Sequence, residues 1–149
     1  EKLAPNGLHW KILRWPEKTI SWKEFREEII GATNPEKATK SSLRGILFTS
    51  FQDFGLDEAP FGAKNGFHAS ASPIESTAER LIWLNEKLSD DGFFNTCSSS
   101  LTAVSEQVFK HWCSNPLVSV KNNESQTKLF DLVELMNPSQ CVQLLAQIQ

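Results

Sequence analysis

Residues 65–83 read NGFHASASPIESTAERLIW, and the second half of that stretch is written as a helix. Ser72-Pro73-Ile74-Glu75 puts an N-cap serine, a proline at the first helical position and a glutamate at the third in succession. Ile74, Ala78, Leu81 and Ile82 then recur at helical spacing. The pattern predicts a helix from Pro73 to about Leu88 that buries those four residues and Leu88. His68 lies in the loop before it, four residues ahead of the cap. Unpaired amides and the positive end of a helix favour anions nearby. A neutral imidazole there has one nitrogen free to attack phosphorus, and its pKa lies near working pH. Glu79 is placed to accept a hydrogen bond from the other ring nitrogen and fix the tautomer. The competing reading of the same loop is an ordinary polar surface histidine. His9, beside Trp10 in a strand-like run, and His111, in the helical stretch FKHWC, read as structural.

On the N-terminal side, Pro5 and Asn6-Gly7 signal a turn. Residues 8–15 (LHWKILRW) partly alternate and read as a strand. Ile20, Trp22, Phe25, Ile29 and Ile30 recur at helical spacing behind Ser21, with Glu24 three residues on, and Gly31 ends that helix. Residues 31–43 are polar and turn-rich, Gly45–Phe51 is short, apolar and β-prone, and 52–66 reads as loop or insertion. On the C-terminal side, 89–100 reads as a polar connection. Helical patterns follow at 101–113, 125–136 and 138–148, with a short strand expected over Leu117–Val120.

Hydrophobic residues make up 40% of the 149 and charged residues 22%, the balance of a folded domain and too apolar for a disordered chain. The net charge is −3 with no basic block, so no nucleic-acid footprint is expected. Cys97, Cys113 and Cys141 are irregularly spaced and form no CxxC pair, which points to reduced intracellular thiols and away from a disulfide framework or zinc. No apolar run approaches the roughly 20 residues of a membrane span, and no signal-peptide pattern opens the sequence. A cytoplasmic location without membrane contact is expected. Asn123-Glu124-Ser125 is a sequon in form, read as chance.

Three stretches, in order, resemble nucleoside diphosphate kinases. Ile30-Gly31-Ala32-Thr33-Asn34-Pro35-Glu36-Lys37-Ala38 is similar to the family's GxTNPxxA loop, and Leu43-Arg44-Gly45 to its T-I/L-R-G step. Asn65-Gly66-Phe67-His68-Ala69-Ser70, followed by Ser72, Glu79 and Trp83, is similar to NxxHGSDSxxSAxxEIxLWF. The resemblance covers about residues 7–88, the C-terminal portion of that domain, and leaves 89–149 as a helical extension of unknown role. It implies that His68 takes the γ-phosphate of a nucleoside triphosphate and passes it to a diphosphate. Ser70 and Glu79 would position the histidine, Thr33 and Arg44 would hold phosphates, and Asn65 the sugar or phosphate end. It implies no metal held by the protein; Mg2+ would be delivered with the nucleotide. The implied fold is α+β, a partial ferredoxin-like antiparallel sheet with helices plus the extension.

The sequence also departs from the family. Its opening strand with the IKPD-like lysine, and the aromatic that stacks on the base, find no match. By spacing from Thr33 its second phosphate-binding arginine falls on Glu27, with Arg26 one place away. One residue turns a helical side chain by about 100°, which makes Arg26 a poor substitute. Ala69 and Ala71 stand where the family has glycine and aspartate. Two readings follow. One is a phosphohistidine phosphotransferase that needs a segment outside this chain, by pairing with an N-terminal half or as a homo-oligomer. The other is a non-catalytic scaffold of the same fold within a larger protein.

Overall fold

The computed structural model describes residues 7, 9–62, 64–102, 104–121 and 125–148. The turn signal at Pro5-Asn6 and the sequon at Asn123 fall outside them. The fold is α+β: among the described residues, seven helices accompany one small antiparallel sheet.

Helix α1 (Trp22–Glu24) opens with a capping box in which Ser21 and Glu24 satisfy each other's backbone N–H groups, and it continues as a π-helical stretch, Phe25–Ile30, up to Gly31. Ahead of it, residues 9–15 are not a strand, which corrects the sequence reading. Their alternation has no strand to pair with among the described residues, and Trp10, Ile12 and Leu13 stay exposed. Trp15 folds back, donating its indole N–H to Ile20 O (3.0 Å) and stacking at a tilt on Trp22 and Phe25.

The β-prone run after residue 45 is helical instead. Helix α2 (Leu43–Thr49) is set by Ser42, whose side chain accepts from Gly45 N–H, and Gly45 brings the helix against residue 39. A Cβ at Gly45 would lie 2.0 Å from Thr39 O, so only glycine permits that approach. Helix α3 (Pro73–Trp83) starts where the cap signals put it, with Ser72 accepting from Glu75 N–H. It stops earlier than expected, because Asn85 takes a positive φ of 52° and turns the chain. Ile74 and Ala78 are buried as expected, whereas Ile82 is 78% exposed. Leu88 is buried, on the separate 3-10 turn Leu88–Asp90.

The polar connection at 89–100 is also helical. Asp91 caps helix α4 (Gly92–Ser100) through Phe94 N–H and receives Thr77 and Arg80 from α3. Helix α5 (Glu106–Cys113) follows, then strands β1 (Leu117–Val118) and β2 (Thr127–Lys128), paired Leu117 to Lys128 and Val118 to Thr127. Helices α6 (Leu129–Val133) and α7 (Pro138–Leu145) complete the chain. The main core joins Ile74 of α3 and Leu88 to Phe94, Cys97, Phe109, Trp112, Leu129, Val133, Cys141 and Leu145. Phe109 is its centre, fully buried and edge-on to Phe94 at 5.2 Å. No helix among the described residues is long and apolar enough to cross a membrane.

Candidate active site

The loop between Asn65 and α3 is anchored through its own carbonyl groups. Arg44 donates Nη2–H to Phe67 O (2.7 Å), Arg26 donates Nη1–H to Ala69 O, Trp22 donates its indole N–H to Ser70 O (2.9 Å) and Leu135 donates its N–H to Ala71 O (2.8 Å). Four donors from α1, its π-helical continuation, α2 and the turn after α6 thus fix the loop. At its start Gly66 takes a φ of 77°, and a Cβ there would lie 2.5 Å from Leu47 Cδ2. Asn65 is buried; its amide donates to Thr33 O (3.1 Å) and Gly62 O (3.0 Å), and its oxygen accepts from Phe67 N–H (3.2 Å).

His68 projects from this support with its side chain 65% exposed. Its Nε2 meets Glu79 Oε1, and the second oxygen of Glu79 accepts from Ser70 Oγ (2.6 Å). A carboxylate at that position orients the ring and holds the Nε2–H tautomer, so the lone pair is on Nδ1. Nδ1 has no hydrogen bond to the described residues. The hydrogen bond to Glu79 raises the His68 pKa; partial burial and Arg26 oppose it, and the charges of Glu79 and Glu75 add to it. Burial pushes the Glu79 carboxyl upward, but the bonds from His68 and Ser70 outweigh it and leave the group below its ordinary range.

The structure therefore brings together His68, Ser70 and Glu79. It also brings in two residues that the sequence reading assigned elsewhere. Glu75, read only as a capping residue, turns its carboxylate to Ala71 N–H (2.7 Å) and comes close to the imidazole and Glu79. Burial raises its pKa. The signal was there: Glu75 and Glu79 are four apart, on one face of the helix. Arg26, set aside for its one-residue offset, reaches the histidine loop itself.

The proposed phosphate-holding residues are placed differently from one another. Arg44 is 4% exposed, its guanidinium divided between Gly31 O (2.7 Å) and Phe67 O, with Nε buried and unpaired. Burial, with Arg26 nearby, lowers its pKa. Asn65 is likewise spent on backbone groups, and Thr33 is exposed. The open helix amides are fewer than the sequence suggests: Pro73 has no N–H, and Ala71 N–H is taken by Glu75. Cys97, Cys113 and Cys141 are free thiols whose pKa burial pushes up to about 12, so none is a thiolate nucleophile near neutral pH. Compared with known proteins, the chain matches no family model, no curated sequence and no solved structure.

Proposed function

We propose that the chain carries out nucleoside diphosphate kinase-type phosphotransfer through a phosphohistidine at His68. The observation that carries this reading is the imidazole held through Nε2 by Glu79, with Nδ1 free, on a loop fixed at four carbonyls. In the first half-reaction the Nδ1 lone pair forms the N–P bond as the bond from the γ-phosphorus to its bridging oxygen breaks. That oxygen keeps the electron pair and the nucleoside diphosphate leaves. The positive charge gained by the ring is stabilised by Glu79 through Nε2–H. A second nucleoside diphosphate then takes the phosphoryl group by the reverse route. Glu79 and Ser70 are positioning residues, and Mg2+ comes as part of the nucleotide substrate.

Two carboxylates beside the imidazole oppose an incoming phosphate, so a cation must offset them. Arg26 fits that role. A π-helical turn takes up one residue more than an α-helical turn, and Arg26 opens such a turn: its carbonyl accepts from Gly31 N–H (3.1 Å), two residues before Thr33. The extra residue absorbs the one-place offset that would rotate Arg26 away on a regular helix. Arg44 and Asn65 support the loop from beneath, and Thr33 presents an exposed hydroxyl for the phosphates. The same proposal includes the finer fold reading, a partial ferredoxin-like sheet, whose strands would come from a segment outside these residues or from a second copy, because residues 9–15 and 43–49 are not strands. Ile82 and Trp83, 78% and 57% exposed on α3, support it as an apolar surface suited to being covered.

The scaffold reading also has an observation in its favour: Arg44 and Asn65 are committed to backbone carbonyls rather than to a ligand. A transfer assay separates the two. With MgATP as donor and a second nucleoside diphosphate as acceptor, slow transfer that disappears in His68→Ala supports the enzyme. No transfer, together with no calorimetric binding of MgATP, supports the scaffold.

A further inference from the structure

We infer that His68, Glu75 and Glu79 form a site for one divalent transition-metal ion, zinc above all. One imidazole nitrogen and one oxygen from each carboxylate lie within 4.8 Å of one another, and no other such group of three occurs among the described residues. Around zinc, with bonds of about 2.0–2.2 Å, ligand atoms stand roughly 3.3 Å apart. Closing the site asks only for small side-chain shifts, with Nε2 and Glu79 Oε1 moving apart to admit the ion. Both carboxylates are already oriented from behind, Glu79 by Ser70 Oγ at 2.6 Å and Glu75 by Ala71 N–H at 2.7 Å. That leaves Glu79 Oε1 beside Nε2 and the second Glu75 oxygen without a hydrogen bond. Such outer contacts orient metal ligands.

The donor set selects the metal. Mg2+ and Ca2+ prefer all-oxygen surroundings, whereas an imidazole with carboxylates suits zinc and its neighbours. Three protein ligands leave the fourth position for water. Arg26 faces the cluster and works against a cation. With a neutral ring, two carboxylates and Arg26, the local charge is still −1, so a divalent ion is not repelled. When the ion takes Nε2, the ring proton moves to Nδ1; a neutral ring releases no proton and an imidazolium releases one. Metal binding stands apart from the phosphotransfer reading. Only its consequence rests on that reading: a metal-bound His68, protonated at Nδ1, cannot accept phosphate.

The test uses the metal-free 149-residue chain in reductant, without nucleotide. Calorimetric titration with Zn2+ is expected to show one ion per chain, lost in His68→Asn and weakened at least about tenfold in Glu75→Gln. His68 is exposed, so His68→Asn leaves the fold intact. Cobalt(II) as a spectroscopic probe is expected to give visible d–d bands without a thiolate charge-transfer band. Absence of saturable binding, unchanged affinity in His68→Asn, or a thiolate band overturns the inference. Because no nucleotide is present, these outcomes are independent of whether His68 accepts phosphate.

Discussion

An imidazole nitrogen is a nucleophile only when the ring is neutral, so in the proposed transfer the Glu79 contact sets the pH at which His68 reacts. The folded-state pKa of His68 lies above its ordinary 6.5, chiefly through the Glu79 hydrogen bond. An NMR titration of the ring protons should place its midpoint above that value, and Glu79→Gln should bring it down. Phosphorylation should rise with pH through the raised midpoint. The stability linkage runs the other way. The His68 contribution is full below 6.5 and is lost as pH rises through the raised value; that of Glu79 is full above 4.5 and is lost as pH falls through its lowered value. The pair therefore stabilises most between those two pH values. The two arginines should separate by measurement. Arg26→Ala should weaken MgATP binding by about 1–3 kcal/mol in calorimetry, the loss of a charge-assisted bond. Arg44→Ala should instead lower unfolding stability, by about 1–3 kcal/mol for each buried carbonyl left unpaired. Equal effects of both on binding would return Arg44 to the phosphate site. The contact of His68 with Glu79 was legible from a loop histidine ahead of a capped helix that carries a glutamate, whereas Ser70 joined them only through the family resemblance. The burial of Arg44 was not legible, since an arginine after Leu43 reads the same whether it faces solvent or Gly31 O.

At the scale of elements, capping decides more than propensity. Ser72→Ala should cost about 1 kcal/mol by removing the α3 cap, measurable by chemical denaturation. Gly66→Ala should cost about 1–2 kcal/mol for its left-handed φ, and the contact with Leu47 adds to that. It should also reduce phosphorylation at His68, two residues away, more than Ser72→Ala does; equal phosphorylation in both variants would show that the loop's entry geometry is irrelevant to the site. Helix α3 was readable because cap, proline and apolar spacing agree. Residues 45–51 misled because β-prone side chains signal a strand only when a partner strand exists. Here the Ser42 cap and the close approach of Gly45 to Thr39 win locally. The π-helical turn at Phe25–Ile30 leaves no mark in hydrophobic spacing, so the sequence reading took that segment as a regular helix.

For the whole molecule, the core that buries Ile74 and Leu88 is built mostly from residues beyond 88. A chain cut to 7–88 should lose the cooperative unfolding transition in circular dichroism, and Phe109→Ala in the full chain should cost about 3–5 kcal/mol. The α+β class and the helical C-terminal patterns were legible, whereas the way α3 lies against α4, α5 and α7 depends on tertiary packing that no local pattern encodes. The fold thus uses the C-terminal helices to hold α3, and α3 to hold Glu75 and Glu79 against the histidine loop. The most direct test is incubation of the full chain with MgATP radiolabelled in the γ-phosphate, followed by acid and base treatment of the trapped protein. The account predicts an acid-labile, base-stable label that maps to His68 and is absent from His68→Ala. No label, or label that persists in His68→Ala, would contradict it.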